Sequence, residues 1–142
     1  MQGISVEMQI SFALLSACSY FCITMDIDPF LDFSRREQLR AWLEEHHSSV
    51  RCCWVPCNRS KTPRKDAIPY IDVVEEALCF GWIDSTCKKM PDGRLAQRLS
   101  PRRKGSQWTE LNMQRCADLE RRGLMTDAGR KALTAALPHP TA

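Results

Sequence analysis

The stretch Ser100-Pro101-Arg102-Arg103-Lys104-Gly105-Ser106-Gln107-Trp108 sets three consecutive cations among a proline, a glycine and a tryptophan. Guanidinium and ammonium groups bind phosphates and carboxylates, and Pro101 holds the approach extended. Ser106 reads as the N-cap of a helix spanning QWTELNMQRCADLERR. The cations then precede a helix N-terminus, with its partial positive charge and free N–H groups. That combination is an anion site, and Gly105 lets an anion approach the backbone closely. The glycine pattern of a P-loop or dinucleotide fold is missing, so a nucleoside triphosphate is not expected. The competing reading is a solvated basic loop, or arginines engaged in pairing Asp84, Glu75 or Glu76.

A second group lies in EALCFGWIDS, residues 76–85. In a strand, Trp82 and Asp84 share one face, continued by Thr86 and Lys88, with Ile83 on the other. An indole over a cation and an aspartate orienting an arginine would make a polar pocket. Equally, Trp82 fills the core and Asp84 pairs with an arginine of the neighbouring strand. A third group is Trp108, Asn112 and Arg115, at i, i+4 and i+7 on one helix face. Their polar members border an apolar stripe continued by Leu119, so they need partners, either structural or from a ligand. The candidate binding surface is therefore Trp82, Asp84, Arg98, Arg102, Arg103, Ser106, Trp108 and Asn112. No nucleophile–histidine–acid arrangement can be argued, so no catalytic residue and no cofactor are assigned. An enzyme acting on an anionic small molecule stays open, as does a nucleic-acid module using the basic hairpin for phosphates and tryptophan for stacking.

These residues need elements to hold them. Ser34 with Glu37 reads as a capping box opening SRREQLRAWLEEHH, whose inner face is Leu39, Trp42 and Leu43. His46 and His47 close it, where they meet its negative pole. VRCCWVPCNR is a strand, which Pro56 places at an edge or at its end. KTPRKDAIP is a loop. Pro69 starts the helix YIDVVEEALCF, with Ile71, Val74 and Leu78 inward, and Gly81 ends it. WIDSTCKKM and RLAQRLS are two strands joined by the turn Met90-Pro91-Asp92-Gly93. Thr126 caps a last helix, DAGRKALTAAL, stopped by Pro138. The class is α+β, about four helices around a small antiparallel sheet with a basic β-hairpin.

The chain of 142 residues, 44% hydrophobic and 26% charged, suits one soluble domain. A formal charge of +3 implies no overall polycation. The charge is concentrated between Thr86 and Gly105, where Lys88, Lys89, Arg94, Arg98, Arg102, Arg103 and Lys104 face only Asp92. Such a local basic surface suits anionic partners. The 8 cysteines form no CxxC pair. Adjacent Cys52 and Cys53 would point to opposite faces of a strand, against a zinc cluster with His46, His47 and Cys57. No metal is assigned, and the thiols read as buried, reduced packing groups.

Residues 1–24 differ from the rest. Ile10 to Ile23 is an apolar run short for a bilayer span, and Leu15-Ser16-Ala17-Cys18 is like a lipoprotein signal box. The n-region, however, has Glu7 and no Lys or Arg. The expectation is an over-extended start, with Met25 opening the domain, residues 25–137 forming it, and residues 138–142 a tail. The cytoplasm is the expected compartment; the alternative is a lipoprotein anchored through Cys18.

EEALCFGWIDS, RLSPRRKGSQW, Asn112, Arg115 and RGLMTDAG occur in an order that resembles the YdeI/OmpD-associated, or bacteriocin-protection, family. WLEEHH and the strand after it share the likeness, which runs from about Asp26 to Leu137. Ser100-Pro101-Arg102 stands where that family often has Thr-Pro-Arg, which keeps the hydroxyl. The resemblance implies a small bacterial protein linked to tolerance of bacteriocins or cationic antimicrobial peptides. It supplies no reaction. An anionic small molecule or a protein partner is the expected binder, and the sequence leaves oligomeric state open.

Overall fold

The computed structural model describes residues 27–136. The signal-like box ending at Cys18, the start at Met25 and the tail 138–142 lie outside the described residues. Within them the elements run α1 (Arg36–His46), β1 (Cys53–Asn58), β2 (Ile68–Pro69), α2 (Tyr70–Cys79), β3 (Trp82–Lys89), β4 (Leu95–Pro101), α3 (Glu110–Arg121) and α4 (Asp127–Ala136). The fold is α+β, as the alternation of periods predicts. The strands form one sheet in the order β2-β1-β4-β3. β4 runs antiparallel to both β1 and β3. The two-residue β2 joins β1 in parallel, so the sheet is mixed rather than antiparallel as expected; Ile68–Pro69 reads in sequence as the end of a loop, and only its pairing with Cys57 and Asn58 makes it a strand. The charged loop 59–67 carries the chain back along β1 before β2 begins. No helix among the described residues is long and apolar enough to cross a membrane.

One face of the sheet carries the main core. Cys53 and Val55 of β1, Leu99 of β4 and Trp82 of β3 pack with Leu39, Leu43, Val74, Leu78 and Leu119 from the helices. Burial pushes the Cys53 thiol up to about 12 and those of Cys57 and Cys79 to about 11. These cysteines are free thiols packing as small hydrophobes. The opposite face holds a smaller cluster, Ile27, Trp54, Met90 and Ala96, with Phe30 against it. The Trp54 N–H donates to Pro29 O, away from β4. By alternation Pro56 turns its missing N–H the same way, where β2 does not reach, so β1 tolerates it in the middle of the sheet.

Local signals hold with shifts of a residue or two. α1 starts at Arg36, so Gln38 rather than Glu37 is its third residue. The Gln38 Oε1 accepts the Ser34 and Arg35 N–H groups, each at 3.0 Å, and Ser34 does not cap. In α2, Val74 and Leu78 are buried as expected, but Ile71 is 46% exposed. Glu76 is instead 2% exposed. It accepts from Arg36 Nη2 at 2.7 Å and Arg40 Nη1 at 3.2 Å. Arg36 also reaches Asp72 and Glu75, and Arg122 reaches Glu75. Arginines of α1 and the end of α3, not those of the 102–104 loop, therefore neutralise the acidic side of α2. Gly81 ends that helix with φ 74°, in the left-handed region.

The hairpin turn forms at Met90-Pro91-Asp92-Gly93, with Gly93 at φ 90°. Within the hairpin the register slips between Asp84 and Cys87. Ser85 and Thr86 together face Arg98, a β-bulge. Gln97, 0% exposed, fastens it: its Nε2 donates to the carbonyls of Ser85 and Thr86 at 3.2 and 3.3 Å.

Candidate anion-binding site

Asp84 and Gln97 lie on the core face of the hairpin, beyond the apolar packing of α2. The Tyr70 hydroxyl, at the start of α2, donates to Asp84 Oδ2 at 2.8 Å. Arg59, just past β1, lays its guanidinium over the Tyr70 ring at 4.1 Å. It also donates to Gln97 Oε1 at 3.1 Å. On α3, Arg115 donates to Asn112 Oδ1 at 3.0 Å and lies near enough to Tyr70 for its charge to act on the phenol. Burial pushes the Tyr70 hydroxyl above its usual range; the hydrogen bond and charge of Asp84 add to this, and Arg59 and Arg115 oppose it.

Arg102 completes the group. Its N–H donates to Gly81 O at 3.0 Å, which fixes the end of β4 beside the start of β3. Its guanidinium stacks on the Trp108 ring at 3.7 Å. Among the described residues its one side-chain hydrogen bond is long, Nη1 to Gln107 O at 3.4 Å. Nε and Nη2 are buried and have no hydrogen-bond partner among the described residues. Burial pushes the Arg102 pKa down, while Cys116 and Asp84 pull it back. A guanidinium presents Nε and Nη2 as one fork, the edge that grips carboxylate or phosphate with two bonds. Arginine fork edges are rarely left unpartnered in protein interiors.

The predicted residues divide accordingly. Arg102 stacks on Trp108, Asp84 lies near enough for its charge to reach Arg102, and Asn112 holds Arg115 on the adjoining face of α3. Arg103 is exposed on the loop of Arg102. Ser106 is half-buried and donates its N–H to Arg103 O at 3.0 Å. It does not cap α3: that helix starts at Glu110, and Thr109 Oγ1 accepts the Asn112 N–H at 3.2 Å. The three cations therefore precede an irregular segment rather than a helix N-terminus, which removes the helix contribution from the expected anion site. Trp82 is core, 1% exposed, edge-on to Trp42 with ring centroids 6.1 Å apart. Arg98 pairs across from Trp54 on the opposite face of the sheet and bonds Ser85 and Ser100. Asp84 pairs with Tyr70 rather than with an arginine of β4. The bulge also ends the face shared by Trp82 and Asp84 before Thr86, which no strict alternation would show.

Other cations of the basic stretch are already engaged. Arg94 bonds Asp32 at 2.7 Å and Asp92 at 2.8 Å. Lys88 lies over the Trp54 ring at 5.3 Å. The tryptophans offer little for base stacking: Trp54 and Trp82 are buried, Trp42 packs against His46 and Trp82, and the Trp108 face carries Arg102. Tyr70, Arg59 and Gln97 were missed as site residues. The only available signal was a tyrosine directly after the proline that opens α2.

The family described as domain of unknown function DUF8412 matches residues 31–132, and the chain belongs to that family. No curated protein and no solved structure matches the chain.

Proposed function

We propose that this DUF8412 protein binds a small anion, a carboxylate or a phosphate, through Arg102 on its Trp108 platform. The observation that carries the reading is the Arg102 fork, buried without a partner while its guanidinium is stacked on an indole. A half-buried guanidinium whose fork lacks hydrogen-bond partners lowers the stability of the fold and raises affinity for an anion that supplies the missing bonds. Asp84 lies near enough to Arg102 for its charge to act on it, and Arg59 and Arg115 bring positive charge to the neighbouring Tyr70–Asp84 pair. The basic loop residues Arg103 and Lys104 steer the anion inward.

The resemblance to the bacteriocin-protection family supports a role in tolerance of cationic peptides. A site of this sign repels such peptides, so protection would run through the bound anion or through a partner that recognises the loaded protein. Binding rather than catalysis is the proposed activity.

The test is Arg102→Met, which keeps an unbranched chain over Trp108 and removes the cation. Titration with inorganic phosphate should show affinity falling by at least about tenfold, ~1.4 kcal/mol. The melting temperature should stay level or rise, because an unsatisfied buried charge has gone. Unchanged affinity, or a steep loss of stability, would make Arg102 a structural residue.

A further inference from the structure

Two clefts meet at Trp108. One, of about 240 Å³, is lined by Arg102, Arg103 and Lys104 on one side and by Ala132 and Ala135 of α4 on the other. The second, of about 380 Å³, is lined by Met113 of α3 and Leu133 of α4. They share Gly105, Ser106, Trp108 and Ala136. A single groove thus begins among three cations and ends at Met113 and Leu133 beside Gln107, with an indole between.

We infer that this groove takes a single-chain anionic amphiphile, a fatty carboxylate or its phosphate counterpart, with the head at Arg102–Lys104 and the chain running past Trp108 toward Met113 and Leu133. The inference rests on the anion-binding reading and adds the ligand class. Charge complementarity fixes the direction of the ligand. An inorganic anion would use only the basic end; a neutral apolar molecule would leave the cations without a counter-charge. The alanines of α4 matter because they keep the wall low and apolar, so a methylene chain can lie against it. Both clefts are smaller than or near the lower limit of drug-sized pockets, which suits one thin chain.

The experiment is a calorimetric series of straight-chain carboxylates from acetate to octanoate, all below micelle formation, with wild type and Met113→Gln. Met113 lines the apolar end of the groove, away from the three cations, and is not part of the buried core. Affinity should rise by about fourfold for each methylene that enters the groove. The polar variant should lose most of the gain from the longest chains while still binding inorganic phosphate. A flat series with phosphate binding retained overturns the amphiphile and leaves the anion site standing. If neither carboxylates nor phosphate bind, both readings fall. Co-sedimentation with phosphatidylglycerol vesicles in the absence of carboxylate binding would overturn the single-chain ligand in favour of a membrane headgroup.

Discussion

Trp82 and Trp108 show how one residue type takes opposite roles in the same fold. Trp82 meets Trp42 edge-on inside the core and donates its Nε1–H to His47 O at 3.3 Å. Trp82→Ala should therefore cost about 3–5 kcal/mol in denaturant unfolding; a loss below about 1 kcal/mol would mean the indole contributes no core packing. Trp108 instead serves as the bed for a cation. Tyr70 gives a titration check on the polar cluster. Its raised pKa is a stabilising contribution that is present below the unfolded tyrosine value of about 10 and is lost as pH rises through the folded value. Asp84→Asn removes the second-largest cause but not the burial. The Tyr70 midpoint, followed by near-ultraviolet absorbance, should fall part of the way toward the ordinary value. A midpoint that does not move would place Asp84 outside the cluster.

At the scale of elements, the contact between α2 and α4 is the tightest. A Cβ on Gly129 would strike the Cys79 carbonyl, and the Thr126 hydroxyl bonds the same oxygen. A Cβ on Gly81 would meet the Ala132 Cβ at 2.8 Å. Gly93 has open space around it and only its positive φ to defend. Gly129→Ala should thus cost about 1–3 kcal/mol by overpacking, and it should also disturb the groove wall. Gly93→Ala should cost only about 1 kcal/mol, from backbone strain. Paired thermal melts check the order; the reverse order would mean α4 is not held where the groove needs it. Element types were legible from the sequence because period, caps and turn residues are local: the α2 stop at Gly81 and the hairpin turn at Gly93 follow from backbone chemistry alone. The bulge was not legible. It depends on Gln97, whose buried amide satisfies carbonyls across the strand, and nothing in Ser85 or Thr86 announces that partner. The bulge is also why Thr86 does not continue the face of Asp84.

At the scale of the whole molecule, the basic stretch reads as one surface in sequence and is three environments in space. Arg94 is locked to acids at the hairpin end, Arg98 lies on the far face, and Arg102 to Lys104 border the groove. Linear proximity could not separate them, because strand pairing turns neighbours to opposite faces. Conversely, Arg59, Tyr70, Asp84 and Arg115 are scattered along the chain and meet only when β1, α2, β3 and α3 have packed. The family match over residues 31–132 covers all of these positions. The central claim is that anions bind at Arg102, and the most direct test is a phosphate titration of the labelled protein followed by NMR. The account predicts shifts concentrated in the Arg102 Nε–H and the Trp108 indole N–H, weakening as salt is raised, with the Arg98 side chain unmoved. Shifts spread evenly over the exposed lysines and arginines, with Arg102 silent, would contradict it.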